Sequence, residues 1–77
     1  MDINLIKEII EKTIADANVE VLDTTGTGDH FKAVVISNVF EGMSLIDRHK
    51  LVYKSLGKYL TNEIHALQLE TKTREEF

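Results

Sequence analysis

The segment Phe31-Lys32-Ala33-Val34-Val35-Ile36-Ser37 most narrows what this chain can fold into. It is β-branched and nearly all apolar, so it predicts a central strand buried on at least one face. Such a strand needs neighbours along its edges and a helical layer over its covered face, and the flanking sequence supplies both. Residues Asp2 to Ala17 carry Leu5, Ile6, Ile9, Ile10, Ile14 and Ala17 close to helical spacing, which predicts an amphipathic helix. Asp2 or Asn4 suits its N-cap and Asn18 its close, since Asn tolerates the left-handed position there. Val19 to Asp23 reads as a short strand. Thr24-Thr25-Gly26-Thr27-Gly28-Asp29 is a loop of turn formers, too long for a two-residue hairpin turn.

After the central strand, Asn38 to Met43 turns the chain with Gly42 as the pivot. Ser44 then caps a helix running to about Leu60, with Asp47 completing the cap. Its expected buried stripe is Leu45, Val52, Leu56, Tyr59 and Leu60, and Gly57 lies inside it at a cost of ~1 kcal/mol relative to Ala. Ile64 to Thr71 is the third strand, and Thr73 to Phe77 a polar tail that forms a helical turn. The order is αββαβ. If the second and third strands share a sheet, the intervening helix makes them parallel with a right-handed connection. The predicted fold class is α+β: a three-stranded mixed sheet with two main helices packed on one face. At 77 residues the chain is one domain. A domain of that size buries only ~60% of the surface its unfolded chain exposes, enough for one modest core but not for a deep enclosed active site.

The chain contains no cysteine. That removes disulfides, a thiolate nucleophile and any thiolate metal ligand of its own. No window approaches the ~20 apolar residues of a membrane span, and Met1-Asp2-Ile3-Asn4 has no signal pattern, so a cytoplasmic protein is expected. A net charge of −4 argues against wholesale nucleic-acid binding but not against a local basic face.

Three histidines are candidates for chemistry: His30, His49 and His65. In a parallel crossover both strands begin at the same edge of the sheet. His30, just before the second strand, and His65, at the start of the third, therefore fall at one end of the domain, one or two strand spacings of ~4.8 Å apart plus what the loop adds. His49, near the start of the connecting helix, falls toward the other end, roughly 15 Å away. It reads as a structural residue hydrogen-bonded at the turn. Spacing alone leaves His30 and His65 as metal ligands or as solvated loop and strand-end side chains. Two imidazoles do not close a metal site. Structural zinc takes four protein ligands, and a 2Fe–2S centre needs four ligands, of which two can be imidazoles. As ligands, the pair would need the rest from another molecule.

Arg48, Lys50, Lys54 and Lys58 form a second candidate, a basic stripe at mostly four-residue spacing on the long helix. It suits phosphate contacts or a solvated helix face, with little aromatic interleaving to stack bases. Gly26-Thr27-Gly28 lacks the remaining glycine of a dinucleotide fingerprint and precedes a strand rather than a helix. No Walker lysine or hydroxyl–His–acid arrangement is evident, so an enzyme is not expected.

The segments Gly28-Asp29-His30-Phe31, Val35-Ile36-Ser37, Phe40-Glu41-Gly42, Leu45-Ile46-Asp47-Arg48-His49-Lys50-Leu51-Val52-Tyr53 and Glu63-Ile64-His65-Ala66-Leu67 closely resemble the BolA family, and the resemblance runs from Ile3 to Phe77. It implies a type II KH-like αββαβ topology and a non-enzymatic role in iron–sulfur trafficking and iron-status signalling. The implied partner is a monothiol glutaredoxin. A [2Fe-2S] cluster would be shared with that partner's cysteine and glutathione, with His65 as one ligand and His30 as the match to the loop ligand. Some bacterial members regulate transcription in morphology and stress responses, which makes DNA, met through Arg48, Lys50, Lys54 and Lys58, the alternative partner. Alone, the chain is expected as a monomer or weak homodimer, with no membrane association. It departs from the family at Met43, where Lys or Arg is frequent, and in the tail Thr73-Arg74-Glu75-Glu76-Phe77, where many members have Pro after Thr and end in Trp. The Gly-x-x-Gly loop of RNA-binding KH domains is incomplete, since Leu45 stands where its second glycine would be.

Overall fold

The computed structural model describes residues 1–62, 64 and 66–77, with backbone alone for Thr61 and Asn62; Glu63 and His65 lie outside the described residues. Strand β2 (His30–Ile36) sets the layering. Phe31, Ala33 and Val35 are 1%, 0% and 0% exposed, while His30, Lys32, Val34 and Ile36 are only partly covered. Successive strand side chains point to opposite faces, so the first three define the core and the other four the open side. Strand β1 (Asn18–Asp23) pairs antiparallel with β2, with Asn18 opposite Ile36 and Asp23 opposite Phe31. Strand β3 (Ala66–Lys72) pairs parallel with β2, from His30 beside Ala66 to Ile36 beside Lys72. The order β1-β2-β3 puts the apolar run in the centre, where its composition predicts it.

Helix α1 (Ile3–Thr13) packs on β1 and against α2 (Leu45–Leu56), which also reaches β3. Ile6, Ile10, Val52, Leu56 and Phe40 meet the inner residues of β1 and β2 in one core. The architecture is the predicted α+β arrangement, a mixed three-stranded sheet with its two main helices on one face. Burial selects among the predicted apolar positions. Leu5 and Leu45 are 39% and 62% exposed and stand outside the core, because each lies off the line that its helix turns inward.

Several element ends move. Helix α1 begins at the Asp2 cap, whose carboxylate accepts from Asn4 N at 2.8 Å, but it stops at Thr13 rather than Ala17. Ile14 is extended, and Asp16, not Asn18, takes the left-handed turn at φ 60°. Asn18 opens β1 instead. The Ser44 cap forms as predicted, its hydroxyl accepting from Asp47 N at 3.1 Å. Helix α2 ends at Leu56 because Gly57 adopts φ 52° and ψ −125°, a conformation that strains any residue with a Cβ. Gly57 is thus a helix terminator rather than an interior residue, and a short α3 (Tyr59–Asn62) follows. Ile64, predicted as the first strand residue, is buried in the core before β3 begins at Ala66.

The C-terminal tail fastens the end of the sheet away from His30. Thr73 N donates to the Glu76 carboxylate at 2.9 Å, and Phe77 N to Thr73 O at 3.2 Å, which makes the predicted turn. Arg48 meets Glu76 through both terminal nitrogens, at 2.7 and 3.2 Å, and its Nε donates to Met43 O at 3.1 Å. Arg74 donates to the Asp16 carboxylate and to Asp16 O, each at 2.8 Å, and so holds the left-handed corner. Buried Ser37 donates to Ala15 O at 2.6 Å and caps the 3₁₀ turn Asn38–Phe40 through Val39 N at 3.1 Å.

These pairs give the fold an acid-side signature. The Arg48 guanidinium, aided by Thr73 N, holds the Glu76 carboxyl from its ordinary 4.5 down to about 2. Arg74 lowers the Asp16 carboxyl in the same sense. A carboxyl with a depressed folded-state pKa stabilises the fold above its unfolded value, and the contribution fades as pH falls toward the folded one. Urea titrations between pH 4.5 and 2 are therefore expected to show falling stability, with a smaller pH slope in Glu76→Gln than in the wild type; equal slopes would exclude the pair as the source.

Candidate metal centre

The loop leading into β2 is organised by one carboxylate. Asp23 accepts from Thr25 N and Gly26 N at 3.3 and 2.8 Å through one oxygen and from Gly28 N at 2.9 Å through the other. Thr24 closes the hairpin from its own side, its N and Oγ1 lying 2.9 and 3.1 Å from His30 O. The loop has several internal bonds and delivers its last residue, Asp29, and the first strand residue, His30, in a fixed relation to the sheet.

His30 is the first residue of β2 and belongs to the open face, with its side chain 44% exposed. Its Nδ1 lies 2.8 Å from Asp29 Oδ1, and the same oxygen accepts from the Thr27 hydroxyl. Facing a carboxylate, Nδ1 is the donor, so a neutral ring carries its lone pair on Nε2. A carboxylate that holds a ligating histidine by its other ring nitrogen is common in metal sites. Asp29 is thus placed to orient His30, a contact that residue type and spacing do not reveal. The available signal was its place directly before His30 at the end of a glycine-bearing loop.

The parallel register puts Ala66 beside His30, and Ala66 N donates to Asp29 O at 3.2 Å. The starts of β2 and β3 therefore share one edge, as the crossover argument requires. His65, the other predicted ligand, lies outside the described residues; its chain neighbours Ile64 and Ala66 are, respectively, buried in the core and paired with His30. Among the described residues, no three His, Asp or Glu side chains gather into a metal-holding set. His49 is in the second turn of α2, which starts beyond the opposite end of β2. Its ring meets Tyr53 edge-on, with centroids 6.3 Å apart, and among the described residues its enclosed Nε2 has no hydrogen-bond partner. The hydrogen bond expected at the turn is not made through this nitrogen among the described residues.

The basic stripe is less continuous than its spacing suggests. Residues two apart on a helix point roughly 200° apart, so Arg48 and Lys50 do not share a face. Arg48 turns inward to Glu76 with its side chain 12% exposed, and its guanidinium sits 5.9 Å from the Phe40 ring centre. Lys50 and Lys54 are exposed on α2. Lys58 comes after Gly57 has ended the helix, with its Nζ 5.9 Å from the Tyr59 ring centre.

The family model described as BolA-like protein matches residues 5–76. BolA-like protein 1 of Mus musculus is 44% identical over 48 residues; the match covers 62% of this chain and 35% of the mouse protein, so the chain spans about a third of that relative's length. The protein of Escherichia coli named DNA-binding transcriptional regulator BolA is 33% identical over 84 residues, covering 95% of this chain and 80% of its own. Among solved structures, a BolA homologue from Coxiella burnetii has a TM-score of 0.84 and 39% identity, covering 99% of this chain and 95% of its own.

The Asp29 contact makes a tautomer prediction. Nitrogen NMR of the neutral His30 ring is expected to show the proton on Nδ1 in the wild type and a mixture shifted toward the Nε2 form in Asp29→Ala. The same tautomer ratio in both proteins would mean that the carboxylate does not orient the ring.

Proposed function

The chain belongs to the BolA family, and on that footing we propose that it is a non-enzymatic adaptor that carries a 2Fe–2S cluster as cargo, held jointly with a monothiol glutaredoxin and glutathione. The observation that carries this reading is His30. It stands at the rim of the sheet with Nδ1 engaged by Asp29, next to Ala66 and so one residue along the chain from His65. The donor chemistry fits half a site: imidazole from this chain, and no cysteine to complete a set. Thiolates from a second molecule supply what is missing, which accounts for the need for a partner. His30 and His65 are the ligands in this proposal, and Asp29 orients the first of them.

Mixing the protein with a monothiol glutaredoxin, glutathione, iron and sulfide, and following visible circular dichroism, tests the assignment. His65→Ala and His30→Ala are expected to change the spectrum of the heterocomplex. Asp29→Ala is expected to retain its form with affinity weakened about 10–100-fold. A wild-type spectrum from His65→Ala would remove that residue as a ligand.

A second reading has its own support in the name of the E. coli relative. We propose that any DNA contact uses Lys50, Lys54 and Lys58, with Arg48 holding the tail rather than phosphate. Three phosphate contacts give a slope of log affinity against log salt no steeper than about −3. Gel-shift titrations over a salt series are expected to show that slope, and a Lys50/Lys54/Lys58 triple Ala variant to abolish binding; unchanged affinity in the triple variant would end this reading.

A further inference from the structure

Resting on the reading of the His30 rim as a shared cluster site, we propose that the outer edge of β3 takes an extended segment of the thiolate-bearing partner as a fourth strand. The hydrogen-bond phase of β3 is fixed at both ends. Ala66 N donates to Asp29 O at 3.2 Å, and Lys72 O accepts from Ser37 N at 2.9 Å. In a parallel ladder, alternate residues of a strand bond to the same neighbour. Ala66, Gln68, Glu70 and Lys72 therefore turn their backbone groups to β2, while Leu67, Leu69 and Thr71 turn theirs outward, off the edge of the sheet. Among the described residues, none of those outward N–H and C=O groups has a hydrogen-bond partner.

The edge is closed at one end and open at the other. Thr73, next in the outward series, has its N–H taken by the Glu76 carboxylate at 2.9 Å, so the tail shuts the end away from His30. The charges of β3, Glu70 and Lys72, fall in that same half. At the rim end the strand reads Ala66-Leu67-Gln68-Leu69, without a charge, and Ala66 lies beside His30. Sheets commonly guard a free edge with proline, a bulge or charged side chains. This chain has no proline, and β3 pairs one for one with β2 from Ala66 to Lys72. The other edge strand, β1, lies two strand spacings away, ~10 Å, and its rim end runs into the loop held by Asp23.

Backbone chemistry selects the occupant. A row of unpaired donors and acceptors at strand spacing is matched by an extended backbone, whereas a helix has already bonded its own backbone groups internally. The flanking side chains set the pattern of the incoming strand. Leu67 and Leu69 are half-buried against the core, and Gln68 and Glu70 are exposed on the open face. The segment therefore alternates, apolar beside Leu67 and Leu69 and polar beside Gln68 and Glu70. A strand added there lies ~4.8 Å from β3, which holds the partner at the rim that its thiolate must reach.

Hydrogen exchange of the full chain, alone and in its cluster-bridged complex with a monothiol glutaredoxin, read residue by residue by mass spectrometry, tests it. In the free chain the amides of Gln68 and Glu70 are expected to be protected and those of Leu67 and Leu69 to exchange freely. In the complex, Leu67 and Leu69 are expected to slow at least about tenfold, with Val19 and Val21 on the outer edge of β1 unchanged. N-methylation of Leu69 in the synthetic full chain removes one outward donor and keeps the side chain; it is expected to weaken the complex about tenfold. Circular dichroism verifies its fold, and if it does not fold the wild-type exchange pattern decides alone. A complex with no slowing at Leu67 and Leu69, an equal slowing at Val19 and Val21, or slowing that grows with the chain's own concentration in the absence of partner each overturns the proposal. The two readings separate in the same experiment. Slowing at Leu67 and Leu69 that persists while His30→Ala and His65→Ala leave the visible spectrum unchanged sinks the ligand assignment and keeps the strand addition. A spectrum that depends on those histidines without the slowing sinks the strand addition alone, and no complex up to ~1 mM removes both.

Discussion

Everything in this domain follows from the two-residue alternation of its central strand. Phe31, Ala33 and Val35 anchor the core, and because strand side chains alternate, the same backbone presents His30, Lys32, Val34 and Ile36 on the other side. A one-residue slip in register would exchange the two sets, burying a histidine and a lysine and exposing a phenylalanine. Burial of the inner residues therefore also fixes the position of His30 on the open face. Stability and site are linked through the strand's geometry rather than through any direct contact.

The two ends of the sheet have different tasks. At the end where β2 and β3 begin, a loop tied to Asp23 brings Asp29 onto His30 and sets the ring's tautomer. At the other end the tail is pinned by Arg48 to Glu76 and Arg74 to Asp16, with Ser37 buried beneath. The charged locks lie at the end away from the histidine, so the rim where a partner's ligands would approach is not closed by the tail. The tail supplies the acid that neutralises Arg48. Its Glu76 makes structural sense as the partner of that arginine.

Much of the fold was legible because it depends on periodicity. The αββαβ order, the central strand, the parallel crossover and the Asp2 and Ser44 caps all follow from local pattern. Boundaries were less legible where a single backbone conformation decides them. Gly57 reads as a tolerated interior glycine until its φ of 52° shows it ending α2, and Asp16 carries no sign in its side chain that it, and not Asn18, turns the chain. Of the site, His30 was visible as an edge histidine; its partner Asp29 was not, because adjacency in sequence does not say that a carboxylate folds back on its neighbour. Charge and spacing place Arg48 on a basic face, and only the tail's path reveals the inward pairing.

The sequence by itself determined the class of fold, the central place of Phe31 to Ile36, the absence of a thiolate and the family to which the chain belongs, since each depends on residue type and periodicity along the chain. Only the tertiary structure decided which nitrogen of His30 bonds to Asp29, that Arg48 faces Glu76, and which residues share the open side of the sheet. Those facts depend on distances between residues brought together by strand pairing and packing, which local pattern does not encode.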